Sequence, residues 1–336
     1  MKIAVINCSR CYNLAVDKIA NYHRARGDEV YSGRWSSLIL GEGRFSPTRD
    51  VDKFYFSVIF TADIPVLIRQ ANLAKSWGKL VEIGGPAATF MAQYIAKKTG
   101  IYPRRGLDPV FEHVPGEYEL TFTSRGCPHH CRFCGVAQVE PEAVEYSDFP
   151  LAPMVGDNNI LATSWAHQEL VVKRLATLGQ KIDFNSGFDV GFFHEEHYRL
   201  YSQLRLRMWR FAFDTIAVEG EVHRVATLMR KYGLDRHQVM FYCLIGFPGQ
   251  TPEECLYRLN TIRGLGMNPY PMRFYPLNSL NRRYVAPGWS EKVLQKMTIY
   301  YQTPSLWMVD TWENFKPGKN KAIRRSRSTP HPDHLM

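Results

Sequence analysis

Cys127, Cys131 and Cys134 fall in one short stretch, spaced C-x3-C-x2-C, with Phe133 directly before the last. Three thiolates at this spacing can each hold one iron of a [4Fe-4S] cluster, which ordinarily takes four cysteines. One iron is then left open, and an open position separates a catalytic metal centre from a structural one. The same thiols could instead complete a tetrahedral zinc site with His113, His129 or His130 as the fourth ligand. A second pair, Cys8 and Cys11, is spaced C-x-x-C. It reads as a redox pair, as two ligands of another cluster, or as a loop of small residues. The last two of the seven cysteines, Cys243 and Cys255, fall in an apolar run and a helical pattern and read as packed. An odd, crowded cysteine count does not suit a disulfide framework, so a reducing, cytoplasmic setting is expected.

Such a loop needs a scaffold, and the pattern around it is regular. Residues 1–100 alternate strand and helix. Ile3 to Ile6 is a buried strand, and Ala15, Ile19 and Tyr22 mark one face of a helix that Gly27 can end. A strand from Phe54 to Phe60, a helix from Ile64 to Trp77 and a strand from Leu80 to Ile83 follow, closed by Gly84-Gly85-Pro86. Residues 101–117, with three prolines, read as a linker. From Tyr118 a strand-turn-helix unit recurs. Strands are predicted to begin near Tyr118, Ala152, Lys181, Met208, Gln238 and Pro271, with helices at His167 to Leu178, His194 to Leu204, Glu219 to Tyr232 and Thr251 to Leu265. Six βα units over residues 118–285 are too few for a closed eight-stranded barrel, so a partial (β/α)6 barrel is expected. Residues 286–315 read as a helical segment and 316–336 as a basic tail. In such folds chemistry sits at the carboxyl ends of the strands.

The cysteine motif, its aromatic residue and its place after the first barrel strand resemble the radical SAM superfamily. The resemblance implies that S-adenosylmethionine chelates the open iron and that reduction cleaves it to methionine and a 5′-deoxyadenosyl radical, which abstracts hydrogen from a substrate. It also implies a flavodoxin- or ferredoxin-type electron donor. Carried along the strands, it makes Asp157 and Asn158 acceptors for the methionine ammonium, and Asn185, Ser186 and Asp189 contacts to the ribose or the methionine carboxylate. Asp214 becomes a further carboxylate at the mouth. Ile245 and Gly246 supply backbone contacts to adenine, and Phe133 packs on the ring. Gly84 to Thr89 resembles the last turn of a cobalamin-binding-type domain. No D-x-H-x-x-G is present to offer cobalt a histidine, so the first 100 residues are expected to be a truncated Rossmann-like scaffold, with cobalamin unlikely.

The substrate is read from charge and aromatics. The chain carries 42 Lys and Arg against 32 Asp and Glu, a net +10, and Lys316, Lys319, Lys321, Arg324, Arg325 and Arg327 supply six of those charges. A basic arm suits a polyanion. Arg282, Arg283 and Tyr284 at the barrel exit could pair with phosphates and stack on bases. The chain also resembles compact phage-encoded radical SAM proteins of DNA hypermodification. That resemblance implies isomerisation of an N-linked to a C-linked glycyl adduct on thymidine, with Tyr275 and Cys243 as hydrogen donors. Two alternatives stand: a radical SAM methyltransferase or methylthiotransferase acting on tRNA or a small molecule, and a zinc-dependent nucleic-acid-binding protein without turnover. No apolar run nears the roughly 20 residues of a membrane span, and no secretory signal is visible.

Overall fold

Ile3, Ala4, Val5 and Ile6 are all inaccessible to solvent, a condition met only by a strand covered on both faces. The computed structural model, which describes residues 1–39 and 50–317, places them in β1 (Lys2–Asn7), the inner strand of a parallel sheet in the order β2-β1-β3-β4. Its partners are β2 (Glu29–Gly33), β3 (Lys53–Ser57) and β4 (Leu80–Gly84). The pleat divides the core. Ile3 and Val5 meet Val16 and Ala20 of the helix Leu14–Ala25, while Ala4 and Ile6 meet Leu67, Ala71 and Ala74 of the helix Ile64–Ser76.

β2 was not expected. It is an edge strand with no fully buried residue, so its sequence carries no apolar run. The short helix Pro109–Glu112 likewise sits where only a linker was read.

The second unit has six parallel strands: β5 (Leu120–Thr121), β8 (Met154–Val155), β9 (Asp183–Phe184), β10 (Trp209–Ala212), β11 (Val239–Ile245) and β12 (Asn268–Arg273). They pair as β5-β8-β9 and β10-β11-β12, joined by a parallel bridge between Ile182 and Leu206. The arc stays open, and the fold is α/β: a partial (β/α)6 barrel behind a small Rossmann-like domain. A further antiparallel pair, β6 (Ser124–Arg125) with β7 (Val144–Glu145), pinches together the two ends of the cysteine loop. The helices Glu291–Tyr301 and Pro304–Val309 cover the barrel's outer core, where Trp289 and Trp307 are buried. Among the described residues no helix is long and apolar enough to cross a membrane. The expected tail beyond residue 317 lies outside the described residues.

Alternation along β11 corrects one expectation. Val239, Phe241, Cys243 and Ile245 point outward into the core shared with the helix Pro252–Gly264, whereas Met240 and Tyr242 pack with Tyr270 on the inner face. Cys243 is therefore not aimed at the barrel mouth. Its sulfur, fully buried, lies 3.1 Å from the Arg258 guanidinium, and burial pushes its thiol pKa well up. It is not placed to donate hydrogen to a substrate.

Within the barrel Arg210 makes a two-pronged contact with Asp183, at 2.9 and 2.8 Å, and both are buried. Removing one member of a buried pair leaves the other charge uncompensated. Asp183→Ala is expected to lower the unfolding free energy by about 3 kcal/mol, checked by chemical denaturation followed by circular dichroism.

Candidate functional site

The loop that leaves β6 carries the three cysteines to the carboxyl end of the barrel. The Cys134 amide donates to the Cys131 carbonyl at 3.0 Å, which turns the last two thiols together. Cys127 is half-buried, and Cys131 and Cys134 are exposed. Burial pushes the thiol pKa values of Cys131 and Cys134 up, and the other cysteines add to the rise.

Among the described residues, no three His, Cys, Asp or Glu side chains close on a common point as ligands of one ion would. A cluster asks for a wider set, each thiolate meeting its own iron, and the donor chemistry here fits that group.

Backbone close approaches seat the loop. A Cβ at Gly126, where φ is +78°, would fall 2.4 Å from the Glu142 carbonyl oxygen. One at Gly135 would fall 2.3 Å from the Phe90 ring of the N-terminal domain.

Asn159, not singled out by the sequence reading, sits beside the first thiol. Its amide nitrogen is 3.9 Å from Cys127 Sγ and donates to Asp189 Oδ2 at 2.9 Å. Its Oδ1 is buried and has no partner within the protein. An orphaned acceptor next to a thiol fits a cationic group brought by a ligand. Asp189 Oδ2 also meets His129 Nε2 at 2.5 Å, and Oδ1 accepts from the Gly191 amide.

Asp157 points the other way and needs correcting as an ammonium acceptor. It is buried, and its oxygens accept from the Thr123 amide at 2.6 Å, the Thr123 hydroxyl and the Ser124 hydroxyl at 2.9 Å. It fastens the strand end that leads to the cysteines. Asn158 donates to Glu140 at 2.5 Å.

The Ser186 hydroxyl turns onto the Gly156 carbonyl, and the Asn185 backbone bonds to Val155 and to the Tyr242 hydroxyl. Asp214 accepts from the Leu244 amide at 2.6 Å, and burial raises its pKa. The Ile245 carbonyl is met by the Phe274 amide, and Gly246, at φ +79°, leaves no room for a Cβ beside Leu294. Phe133 packs edge-on against Phe247 at 5.8 Å, and Phe247 against Phe274 at 4.9 Å.

Cys8 and Cys11 are buried free thiols, and Cys8 lies 3.6 Å from Gln70.

Between the domains lies a cavity of about 940 Å³. The ends of the first sheet reach it at Ser57, Gly84 and Gly85, and those of the barrel at Gly156, Leu244 and Arg273. Phe60, Phe90, Phe122, Phe133, Phe274 and Tyr275 give it aromatic walls. Each lining cation is taken by a carboxylate: Lys18 by Glu112, Arg104 by Glu82, Arg125 by Glu112 and Glu140, Arg273 by Glu291, and Arg282 by Asp63 at 3.5 Å. Arg283 is exposed, and Tyr284 packs edge-on against Phe274.

A Rossmann-like unit stands before an open six-stranded parallel barrel, with a three-thiol loop after the first barrel strand, as the sequence resemblance implied for the fold. In the solved structures the chain is similar in fold to TsrM, a radical SAM methyltransferase from Kitasatospora setae. The TsrM structure with tryptophan substrate and the SAM analogue aza-SAM matches at TM-score 0.58 and 13% identity, over 81% of this chain and 72% of that one. The structure with cobalamin and a [4Fe-4S] cluster matches at TM-score 0.58 and 13% identity, over 82% and 77%. No family model matches the chain, and no curated protein proves similar to it.

One titration can be read from the site's rear wall. His167 Nε2 lies 3.2 Å from the Thr123 hydroxyl, and burial lowers its pKa below the ordinary 6.5 against the opposing pull of Glu145 and Asp157. A group whose folded pKa is depressed adds stability above its unfolded pKa, and that stability is lost as pH falls through the folded value. The chain should therefore lose stability as pH drops below about 6.5. His167→Gln should flatten that part of the profile, measured by thermal melts from pH 7.5 to 5.

Proposed function

We propose that this chain is a radical SAM enzyme of the methyltransferase kind, acting on a small molecule held between its two domains. The observation that carries the reading is the three-thiol loop at the carboxyl end of an open parallel barrel, bordering an aromatic-walled cavity. A [4Fe-4S] cluster on Cys127, Cys131 and Cys134 would supply, when bound, an iron open to S-adenosylmethionine and the electron that reduces it.

The chain's own residues do the rest. Asn159 Oδ1 accepts a hydrogen from the ammonium of S-adenosylmethionine, with Asp189 holding the Asn159 amide in place. Phe133, braced on Phe247, gives the adenine an apolar wall; Asn185 and Ser186 contact the ribose or the methionine carboxylate, and Asp214 is a further carboxylate at the mouth. The two domains exclude water, which prolongs reactive species and strengthens polar contacts in the site. Reducing equivalents come from a flavodoxin- or ferredoxin-type donor.

Two findings favour methyl transfer over thymidine isomerisation. The two solved structures described above are of one methyltransferase, and each cation of the cavity wall already lies beside a carboxylate. The DNA reading now leans on a tail of which only the start lies among the described residues. Cobalamin, held unlikely on the missing motif, returns as a reading because one neighbour carries it. The described lining holds no histidine, so a corrin seated there would receive no imidazole from this wall.

The test is anaerobic reconstitution of the full chain with iron and sulfide. About four irons per chain are expected, with an electron paramagnetic resonance signal that changes on adding S-adenosylmethionine and is lost in the Cys127→Ala variant. Retention of cobalamin through gel filtration would support methyl transfer. Release of 5′-deoxyadenosine only with glycyl-modified thymidine in DNA would restore the isomerase reading, and a colourless preparation holding zinc would sink both.

A further inference from the structure

The cysteine loop has no core of its own, yet its two ends are held by buried charge. Arg125, the last residue of β6, is buried together with Glu140, and its other partner, Glu112, is half-buried. Its guanidinium bonds Glu112 of the linker helix at 2.8 Å and Glu140 of the loop's exit at 2.9 Å, and stacks 3.5 Å from the Phe122 ring centroid.

Glu140 is the more connected carboxylate. Besides Arg125 it accepts from the Gly126 amide at 3.2 Å, one residue before the first cysteine, and from Asn158 at 2.5 Å, at the end of β8. Its charge is also felt by Cys134. One side chain therefore ties the entry of the loop, its exit and a neighbouring strand. The network reaches the other domain through Lys18 of the helix Leu14–Ala25. Lys18 Nζ donates to the Glu112 carbonyl at 2.6 Å and lies 3.5 Å from the Glu112 carboxylate.

Desolvating four charges is costly, and an apolar plug of equal volume would stabilise at least as well. What the ions give that a plug cannot is direction, since each bond fixes one backbone or side-chain position.

We infer that Glu140 and Arg125 are positioning residues. They clamp the neck of the loop so that its thiols keep the spacing a cluster needs, and Lys18 with Glu112 makes that clamp depend on the seating of the N-terminal domain. The cluster half of the inference rests on the function proposed above. The clamp itself does not.

The variants are Glu140→Gln, which keeps the shape and removes the charge, Arg125→Lys, which keeps the charge and removes the two-pronged reach, and Lys18→Met in the other domain. In the metal-free full chain, hydrogen-deuterium exchange should rise in residues 126–142 for all three, with far-UV circular dichroism unchanged. In the reconstituted chain, Glu140→Gln should lose iron to a chelator about ten to a hundred times faster, the usual effect of removing an outer-shell partner. Its paramagnetic resonance signal should shift as well. Lys18→Met should move iron loss in the same direction by less.

A folded Glu140→Gln with wild-type exchange and wild-type iron loss overturns the clamp. Should that variant not fold, Arg125→Lys decides by the same readouts. Unchanged iron loss in Lys18→Met overturns the link to the N-terminal domain. If the wild-type chain takes up no iron, the proposed function fails, and the exchange data on the metal-free chain still judge the clamp.

Discussion

A parallel sheet leaves its loops, and with them its chemistry, at the carboxyl ends of its strands. In this chain two such edges face each other across one cavity, and most of the remaining structure serves that opposition. The short helix after β4, Pro86–Phe90, puts Phe90 against Gly135, just beyond the last cysteine of the motif. Thr61, after β3, donates its hydroxyl to the Ser279 carbonyl beyond β12 at 2.6 Å. These contacts bring the end of the other sheet against the barrel's mouth, so the small domain supplies one wall of the cavity. An arc of six strands needs such a wall, because its missing quarter would otherwise admit water to the site.

The electrostatics follow from the same closure. A charge brought into a space between two folded units must find a partner there or stay hydrated. Lys18, Arg104, Arg125 and Arg273 all found carboxylates, supplied by the linker, by β4, by the exit of the cysteine loop and by the helix Glu291–Tyr301. What remains for a ligand is mostly aromatic and apolar surface with a few neutral polar atoms. Such a surface recognises shape and apolar area more than charge. The sequence read a polyanion from the basic tail and from Arg282 and Arg283; of these, Arg282 lies 3.5 Å from Asp63, and the tail beyond residue 317 lies outside the described residues.

Much of this was legible in advance, and the reasons are local. Ile3 to Ile6 and Val239 to Ile245 are apolar because both faces of those strands are covered, so their positions could be read, whereas β12, half-buried along part of its length, begins three residues before the Pro271 read from the sequence. The cysteine spacing marked the loop without help from the fold. What escaped was short or directional. β2 has polar, half-exposed residues, and β6 with β7 spans two residues each, below the length at which periodicity can speak. The direction of Cys243 was within reach, because it shares a parity with Val239, Phe241 and Ile245. Asp157 and Asn159 were not separable in that way. The chain there leaves the strand, and only the Thr123 and Ser124 donors reveal that the aspartate is turned back.

The likeness in fold to a protein of which 13% of residues are shared separates what the scaffold requires from what the chemistry requires. The scaffold asks for apolar runs and turns, which many sequences supply. The site asks for three thiols at fixed spacing, and a loop of mostly polar residues cannot fix that spacing through its own packing. It must borrow rigidity from neighbours: β6 paired with β7, Gly126 pressed on Glu142, Gly135 pressed on Phe90, and Glu140 bonded to both ends of the neck. Each of these holds a different point of the loop, and together they leave the sulfurs as its free face. The chain thus places charged contacts behind the thiols, at the neck of the loop, where they fix its geometry and leave the sulfurs unengaged by carboxylates.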